Sequence, residues 1–216
     1  PNLLATILFE KFGQHQPLNR QSERYAREGI DLAVSTLADQ VGAATVALKP
    51  LHELIARHVM AAQRLHADDT TVPILAKGKT DTGRIWTYVG DAQHPYTVYD
   101  YTPDRSRAGP DQFLQPFNGY LQADAYAGYD ALYRDPARAV TEVACWAHAR
   151  RKVFEARNAD PMRAMILLAY IRLLYEVERE ARDRALDAAG RRALRQERSI
   201  PILADIAAYL QREQPH

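Results

Sequence analysis

Apolar residues in the first 60 positions recur at the spacing of an α-helix. Residues 51–59 repeat the apolar pattern that opens the chain. Gly29 is predicted to end one helix, and Ser35 is predicted to cap the next one. The pattern predicts short helices in a small helical hairpin, which either contacts DNA or another subunit or covers the domain that follows. The first apolar face contains Leu3, Leu4, Ile7 and Leu8.

Near residue 65 the periodicity changes to that of β-strands. β-Branched and aromatic segments separated by Gly, Pro and Asp predict a three-stranded antiparallel meander. The three most regular strand segments are 72–75, 84–89 and 96–101. A short helix, a fourth strand, a helical turn and a fifth strand are predicted at 111–117, 120–124, 126–133 and 139–145. A helix is expected to begin near Ala147, and from there the pattern is helical, with Ser199 predicted to cap the last helix.

This order of elements predicts an α/β fold. Three antiparallel strands followed by two parallel strands form a mixed five-stranded sheet with flanking helices, which is the order of a ribonuclease-H-like fold. A helical segment precedes the sheet and an all-helical insertion follows it. We predict an amino-terminal helical segment at 1–62, a ribonuclease-H-like core at 63–158 and a helical insertion or extension at 159–216.

The composition is that of a globular protein. Hydrophobic residues make up 47% of the chain and charged residues 25%, with a mean hydropathy of −0.40, which argues against disorder. The longest apolar run, 164–171, is far shorter than the roughly 20 residues that cross a bilayer. A single cysteine excludes an internal disulfide, and no signal-peptide pattern follows Pro1. We therefore expect a cytoplasmic protein without a membrane partner.

Isolated acidic residues lie on two strands that are predicted to be neighbours. Asp68 and Asp69 belong to the first strand, where side chains alternate, so only one of them can enter a shared site. Asp124 ends the fourth strand. Neighbouring carboxylates repel each other unless a divalent cation lies between them, and oxygen ligands suit Mg²⁺ or Mn²⁺. The alternative is that these acids are caps or lie at the ends of loops.

Several motifs, in order along nearly the whole chain, resemble the transposases of the insertion sequence 66 family. They are PLNRQSE at 17–23, STLAD at 35–39, LHADDT at 65–70, KTDTGRIW at 79–86, LQADAYAGY at 121–129 and ACWAHARRK at 144–152. The resemblance implies a DDE core in which three acids bind two Mg²⁺ (or Mn²⁺) ions. It also implies a bacterial, nucleoid-associated protein that acts on element ends and target DNA as a homo-oligomer.

By position, the resemblance makes Asp68 and Asp124 the first and second catalytic acids, which also bind the metal. It implies that Asp69 contacts these ligands without binding the metal itself. The family places its third acid near a downstream Asn-Asn-x-x-Glu-Arg motif, which is absent here. The chain is therefore interpreted as a fragment that lacks the carboxy-terminal end, and the third acid is expected beyond His216. Glu178 is the candidate for the third acid within the chain. Alternatively, it is a solvated helix residue that forms i,i+4 ion pairs.

Cys145 and His148 follow the fifth strand. A closed zinc site normally needs four ligands, and the chain has no other cysteine. We therefore predict a supporting role for both residues, with Cys145 buried and His148 hydrogen-bonded near the active site. The family's amino-terminal zinc motif is also missing, so we interpret Pro1 as a start within a longer protein.

Basic residues outnumber acidic ones in the last third of the chain, whereas the middle third is acidic. Four basic residues at the start of this region are predicted to hold the DNA backbone, because cations bind phosphates independently of sequence. They are Arg150, Arg151, Lys152 and Arg157.

These features together predict the catalytic core of a DNA transposase. Metal-dependent cleavage of DNA would be followed by strand transfer through phosphoryl transfer. Two alternatives remain: a stand-alone metal-dependent nuclease of the same fold, and a catalytically inert DNA-binding or assembly fragment.

Overall fold

A computed structural model describes residues 2–213 of the chain. Its elements follow the predicted order, with helices on either side of the sheet region along the chain. Two compact units are present. The first comprises the residues up to Leu121 together with Gly128–Thr141, and the second comprises Gln122–Ala127 and the residues from Glu142 onward.

The amino-terminal segment is helical, as predicted. It contains α1 (Asn2–Leu8), a π-helical turn (Phe9–Gly13), α2 (Leu18–Arg27) and α3 (Val34–Met60). A small core of Ile7, Tyr25 and Leu37 joins the three helices. Gly29 follows α2 with a φ of +82°, a conformation that glycine adopts readily, so the predicted helix end is confirmed.

Two details of this segment differ from the prediction. Ala33 is the N-cap residue of α3 and makes no side-chain cap hydrogen bond, so the predicted cap at Ser35 is wrong. The helix is also long, with 27 residues that include Pro50. Leu37, Ala44 and Val59 are its buried residues. They lie on one side at helical spacing, so both ends of α3 pack through the same face, whereas residues 45–54 between them are exposed.

The predicted sheet is confirmed. Its strands are β1 (Arg64–Ala76), β2 (Lys79–Val89), β3 (Thr97–Thr102), β4 (Gly119–Ala123) and β5 (Val140–Ala144). The strand order is β3-β2-β1-β4-β5, and β1 pairs antiparallel with β2, which pairs antiparallel with β3. The sheet is mixed, with flanking helices, and is consistent with the ribonuclease-H-like fold.

The β1–β2 turn is tighter than predicted. Gly78 has a φ of +71°, and Lys79 already belongs to β2. Gly83 lies inside β2, where a Cβ atom would come within 2.5 Å of the Ile74 side chain and 2.8 Å of the Tyr101 ring. This glycine therefore permits close packing within the strands and does not form the turn.

The remaining helices occupy the predicted regions. They are α4 (Ala108–Phe113), α5 (Asp130–Arg134), α6 (Trp146–Ala156), α7 (Pro161–Asp183), α8 (Ala188–Leu194) and α9 (Ile200–Glu213). A 3₁₀ turn precedes α5 at Ala127–Tyr129, and a π-helical turn joins α8 to α9 at Arg195–Ser199. Ser199 therefore lies within continuous helical structure and is not the predicted cap.

The core of the first unit packs on one face of the meander. Trp86 and Tyr88 of β2 are fully buried. Tyr88 stacks on Phe113 of α4 at 4.6 Å, and Trp86 meets the ring of Tyr129 edge-on at 6.3 Å. Tyr99 and Tyr101 point to the opposite face and are exposed. The meander thus has a buried inner face and an open outer face.

The second unit is mainly helical. Val177 and Ala181 of α7 pack against Leu194 of α8 in its core. Asp160 and Asp187 cap α7 and α8, accepting backbone hydrogen bonds of 3.0 and 2.7 Å. None of the helices formed by residues 2–213 is long and apolar enough to span a bilayer.

Candidate active site

Asp68 and Asp69 lie next to each other in β1 and point to opposite faces of the meander. Asp68 is exposed on the outer face, where its register partner is Thr87 of β2. The Asp69 side chain is 4% exposed, and its register partner is the buried Trp86. Because side chains alternate along a strand, one acid faces solvent and the other faces the core.

Two arginines neutralise the buried Asp69 carboxylate. Arg84 Nη1 donates to Oδ2 at 2.8 Å. Arg105 donates to Oδ1 through Nη2 at 2.7 Å and through Nε at 3.0 Å. Both oxygens of Asp69 are therefore engaged by cations, which leaves Asp68 as the acid of this pair suited to an external ligand.

The sequence reasoning missed both arginines. Arg84 was detectable, because it lies two residues along β2 from the register partner of Asp69, a diagonal position within reach of a long side chain. Arg105 lies in the loop between β3 and α4. No periodic pattern indicates where such a loop brings its side chains.

Asp124 directly follows β4, which ends one residue earlier than predicted. It is half-buried, and its Oδ1 accepts a hydrogen bond of 3.2 Å from the backbone N–H of Tyr126. This contact turns the chain out of the strand and into the following 3₁₀ turn. The sheet order makes β4 the neighbour of β1, the strand that carries Asp68.

Cys145 and His148 lie where β5 meets α6. Cys145 is the N-cap residue of α6 and is half-buried, so it is more exposed than the sequence predicted. His148 lies in the first turn of α6 and is also half-buried. Within residues 2–213, the structure forms no group of three or more His, Cys, Asp or Glu side chains that could hold a metal ion.

The donor chemistry of Asp68 and Asp124 fits Mg²⁺ or Mn²⁺. Mg²⁺ is commonly held by one or two carboxylates, while water and substrate phosphates supply the remaining oxygens. Asp68 is exposed and Asp124 is half-buried, so both carboxylates retain contact with solvent. Asp69 does not fit such a role, because two arginines bind it.

Glu178 lies on α7 within the helical unit. Arg195 binds its carboxylate through Nε at 2.6 Å and Nη2 at 2.8 Å, and Arg191 approaches to 3.9 Å. These cations hold the pKa of Glu178 below its usual value, although partial burial opposes the shift. Glu178 thus ties α7 to α8 and the π-helical turn by long-range ion pairs, in place of the i,i+4 pairs considered from the sequence.

Two predictions concern the ends of the chain. From the sequence, the third acid is expected beyond His216, and Pro1 is expected to be a start within a longer protein. His216 and Pro1 both lie outside the described residues, which run from 2 to 213. The position of the third acid beyond His216 therefore stays a prediction, whereas the candidate within the chain, Glu178, is described and is bound by Arg195.

The four predicted DNA contacts lie on α6 and at its carboxyl end. All four are exposed. Lys152 pairs with Glu155 at 3.5 Å, and the Arg157 guanidinium lies 4.0 Å from the centre of the Phe154 ring. Arg150 also borders a groove of about 520 Å³ that is otherwise lined by α7 residues.

Comparison with known proteins finds similarity along the whole chain. Residues 1–216 match the Transposase IS66 family. The chain is 47% identical to the uncharacterized protein y4hP of Sinorhizobium fredii over 99% of its own length and 42% of that protein. The uncharacterized protein y4qI of the same organism is 31% identical over 98% of this chain and 41% of its own length.

The chain thus spans about two fifths of the length of these curated relatives. The similarity includes β1 with Asp68, the segment with Asp124 after β4, and the helices that follow. The chain belongs to the IS66 family of transposases.

Proposed function

We propose that this chain supplies two acids of a metal-dependent DDE transposase, which cleaves DNA and joins it to a target. The observation that carries the proposal is the exposed Asp68 on β1, beside the strand that leads into Asp124. Family membership supports transposition as the activity.

Asp68 and Asp124 would hold the divalent metal. Divalent ions held there would supply activation of the attacking oxygen at phosphorus and stabilisation of the leaving oxygen. Asp68 offers a carboxylate to solvent from a regular strand, a more rigid support than a loop. The Tyr126 N–H holds one oxygen of Asp124 and so limits rotation of that carboxylate. We assign both residues to metal binding and orientation.

We assign Glu178 to helix packing. A catalytic acid must present its oxygens to the metal, whereas Arg195 binds both oxygens of Glu178. The curated relatives extend well beyond the matched segment, and we propose that the third acid lies in an additional segment beyond His216. In this assignment, Glu178→Gln lowers stability and leaves metal affinity unchanged.

We propose that α6 contacts the DNA backbone. Arg150 and Arg151 form no ion pair within residues 2–213, so their cations are available to phosphates. Cys145 and His148 at the start of this helix would help to set its position relative to β5. Assembly of several copies on the element ends is part of the same proposal.

The test is a strand-transfer assay with the full transposase, in Mg²⁺ and in Mn²⁺. Asp68→Asn and Asp124→Asn should each abolish cleavage and joining while the circular dichroism spectrum stays unchanged. Asp81→Asn, an exposed β2 acid paired with Lys79, is the control and should remain active. Activity in either active-site variant would contradict the assignment. Cleavage without joined products in the wild-type protein would favour the nuclease.

A further inference from the structure

The Asp69 clamp, formed by Asp69, Arg84 and Arg105, lies directly behind the proposed metal ligand. It contains a nearly buried carboxylate, and its arginine side chains are 25% and 37% exposed. A buried carboxylate requires such partners, because desolvation without them is costly. Burial alone does not explain why this acid lies next to Asp68.

A hydrogen bond connects the clamp to Asp68. The backbone N–H of Asp69 donates to Oδ1 of Asp68 at 2.9 Å. The direction of this N–H depends on the backbone conformation of Asp69, which its clamped side chain restrains. The Asp68 carboxylate is therefore oriented by the residue that the two arginines hold.

The loop that carries Arg105 is itself restrained. Trp86 Nε1 donates to Thr102 Oγ1 at 2.7 Å, and the Thr102 hydroxyl donates to the carbonyl of Asp104 at 2.6 Å. The Ser106 N–H donates to the Asp104 carboxylate at 2.8 Å. These hydrogen bonds restrain the loop on both sides of Arg105. Arg105 in turn restrains β1 through its contacts with Asp69.

We propose that Asp69, held by Arg84 and Arg105, is a positioning residue that orients the Asp68 carboxylate for metal binding. This inference rests on the proposed function, in which Asp68 is a metal ligand. Groups that orient metal ligands commonly contribute about 10–100-fold to metal affinity or activity. A clamp that only joins the loop to the sheet would contribute to stability and leave metal affinity unchanged.

Mn²⁺ binding to the full transposase, measured by electron paramagnetic resonance without DNA, separates these roles. Arg105→Met should weaken Mn²⁺ binding about tenfold. Arg105→Lys should fall between Arg105→Met and wild type, because lysine keeps the charge and loses the two-pronged contact. Arg134→Met removes an exposed ion pair with Asp130 and should bind Mn²⁺ like the wild type. Asp68→Asn should lose the site.

Each outcome decides between the two claims. If Asp68→Asn weakens Mn²⁺ binding and both Arg105 variants bind normally, the positioning role is wrong and the metal site stands. If Asp68→Asn binds Mn²⁺ normally, the metal assignment fails and the inference fails with it. If Arg105→Met does not fold, Arg105→Lys decides the question: wild-type affinity in that variant overturns the proposal.

Discussion

At the scale of single residues, Asp68 and Asp69 show how one strand separates two identical side chains. Asp68 is exposed, whereas Asp69 lies on the buried face with two arginines. The first faces solvent, where an external ligand can reach it. The second would have to break four hydrogen bonds from arginine nitrogens before it could bind an external ligand.

Asp69→Asn should destabilise the protein by about 1–3 kcal/mol, because it leaves two arginines without their shared charge. The cost stays below that of a fully buried pair, since both arginines are partly exposed. Urea unfolding measures the change. Asp81→Asn removes an exposed pair and should leave the unfolding midpoint unchanged. Equal midpoints for the two variants would contradict the clamp.

Gly119→Ala should also destabilise the protein, by about 1–3 kcal/mol, because a side chain there is strained. Gly119 has a φ of +124°, and a Cβ atom would lie 2.5 Å from the carbonyl oxygen of Gln63. Gly42→Ala is the matched control on α3, where nothing lies within 4 Å. It should raise stability by about 0.5–1 kcal/mol. In thermal unfolding, the midpoints of the two variants should move in opposite directions from that of the wild type. An unchanged midpoint for Gly119→Ala would contradict backbone strain at this position.

Strand periodicity predicts that Asp68 and Asp69 face opposite sides, and it does not identify the buried side. That choice depends on where α4 and the Tyr129 turn pack, which is a tertiary property. Arg105 escaped prediction for a related reason. Its partner lies 36 residues away, and a loop has no repeating spacing from which such a contact can be inferred.

At the scale of elements, Glu178 joins α7 to the helical structure after it. Its folded-state pKa is lowered, chiefly by the hydrogen bond from Arg195. A lowered carboxyl pKa stabilises the fold above the unfolded-state pKa, and this contribution is lost as the pH falls through the folded-state pKa.

Glu178→Gln should therefore destabilise the protein at pH 7, and the difference from wild type should shrink as the pH falls through the folded-state pKa of Glu178. Unfolding curves at several pH values measure this dependence. Glu176→Gln, which removes an exposed pair with Arg172, should have a smaller effect at neutral pH. A difference for Glu178→Gln that persists below the folded-state pKa would contradict the ion-pair explanation.

The double variant Arg150→Ala/Arg151→Ala should weaken binding of the full transposase to duplex DNA of any sequence. The slope of log affinity against log salt should become shallower by about two, roughly one for each lost phosphate contact. Arg20→Ala, which removes an exposed cation paired with Glu23 on α2, should leave the slope unchanged. An unchanged slope in the double variant would exclude α6 from the DNA contact.

Element boundaries were predictable where several local signals agreed. The strands combine alternation, β-branched residues and turn residues, and the structure confirms them. Ser35 and Ser199 illustrate the opposite case. A serine is only a local cap signal, and the helical structure includes both positions.

At the scale of the whole molecule, the order of elements predicted the order of the sheet. An antiparallel meander leaves β1 open on one edge, and β4 occupies that edge. The division into two compact units was not predicted, because it depends on long-range contacts that cut across the sequence boundaries. The motifs around the two aspartates led to the IS66 family, and the match over residues 1–216 confirms that assignment.

We propose that Asp68 and Asp124 both bind the divalent metal, and Fe²⁺-directed cleavage of the full transposase tests this assignment. Fe²⁺ substituted at the site, with ascorbate and peroxide, cuts the backbone close to the metal, and mass spectrometry locates the cuts. We predict cuts near both Asp68 and Asp124 that excess Mg²⁺ suppresses and that Asp68→Asn abolishes. Cuts at only one of the two acids, or cuts that persist in excess Mg²⁺, would contradict metal binding by both residues.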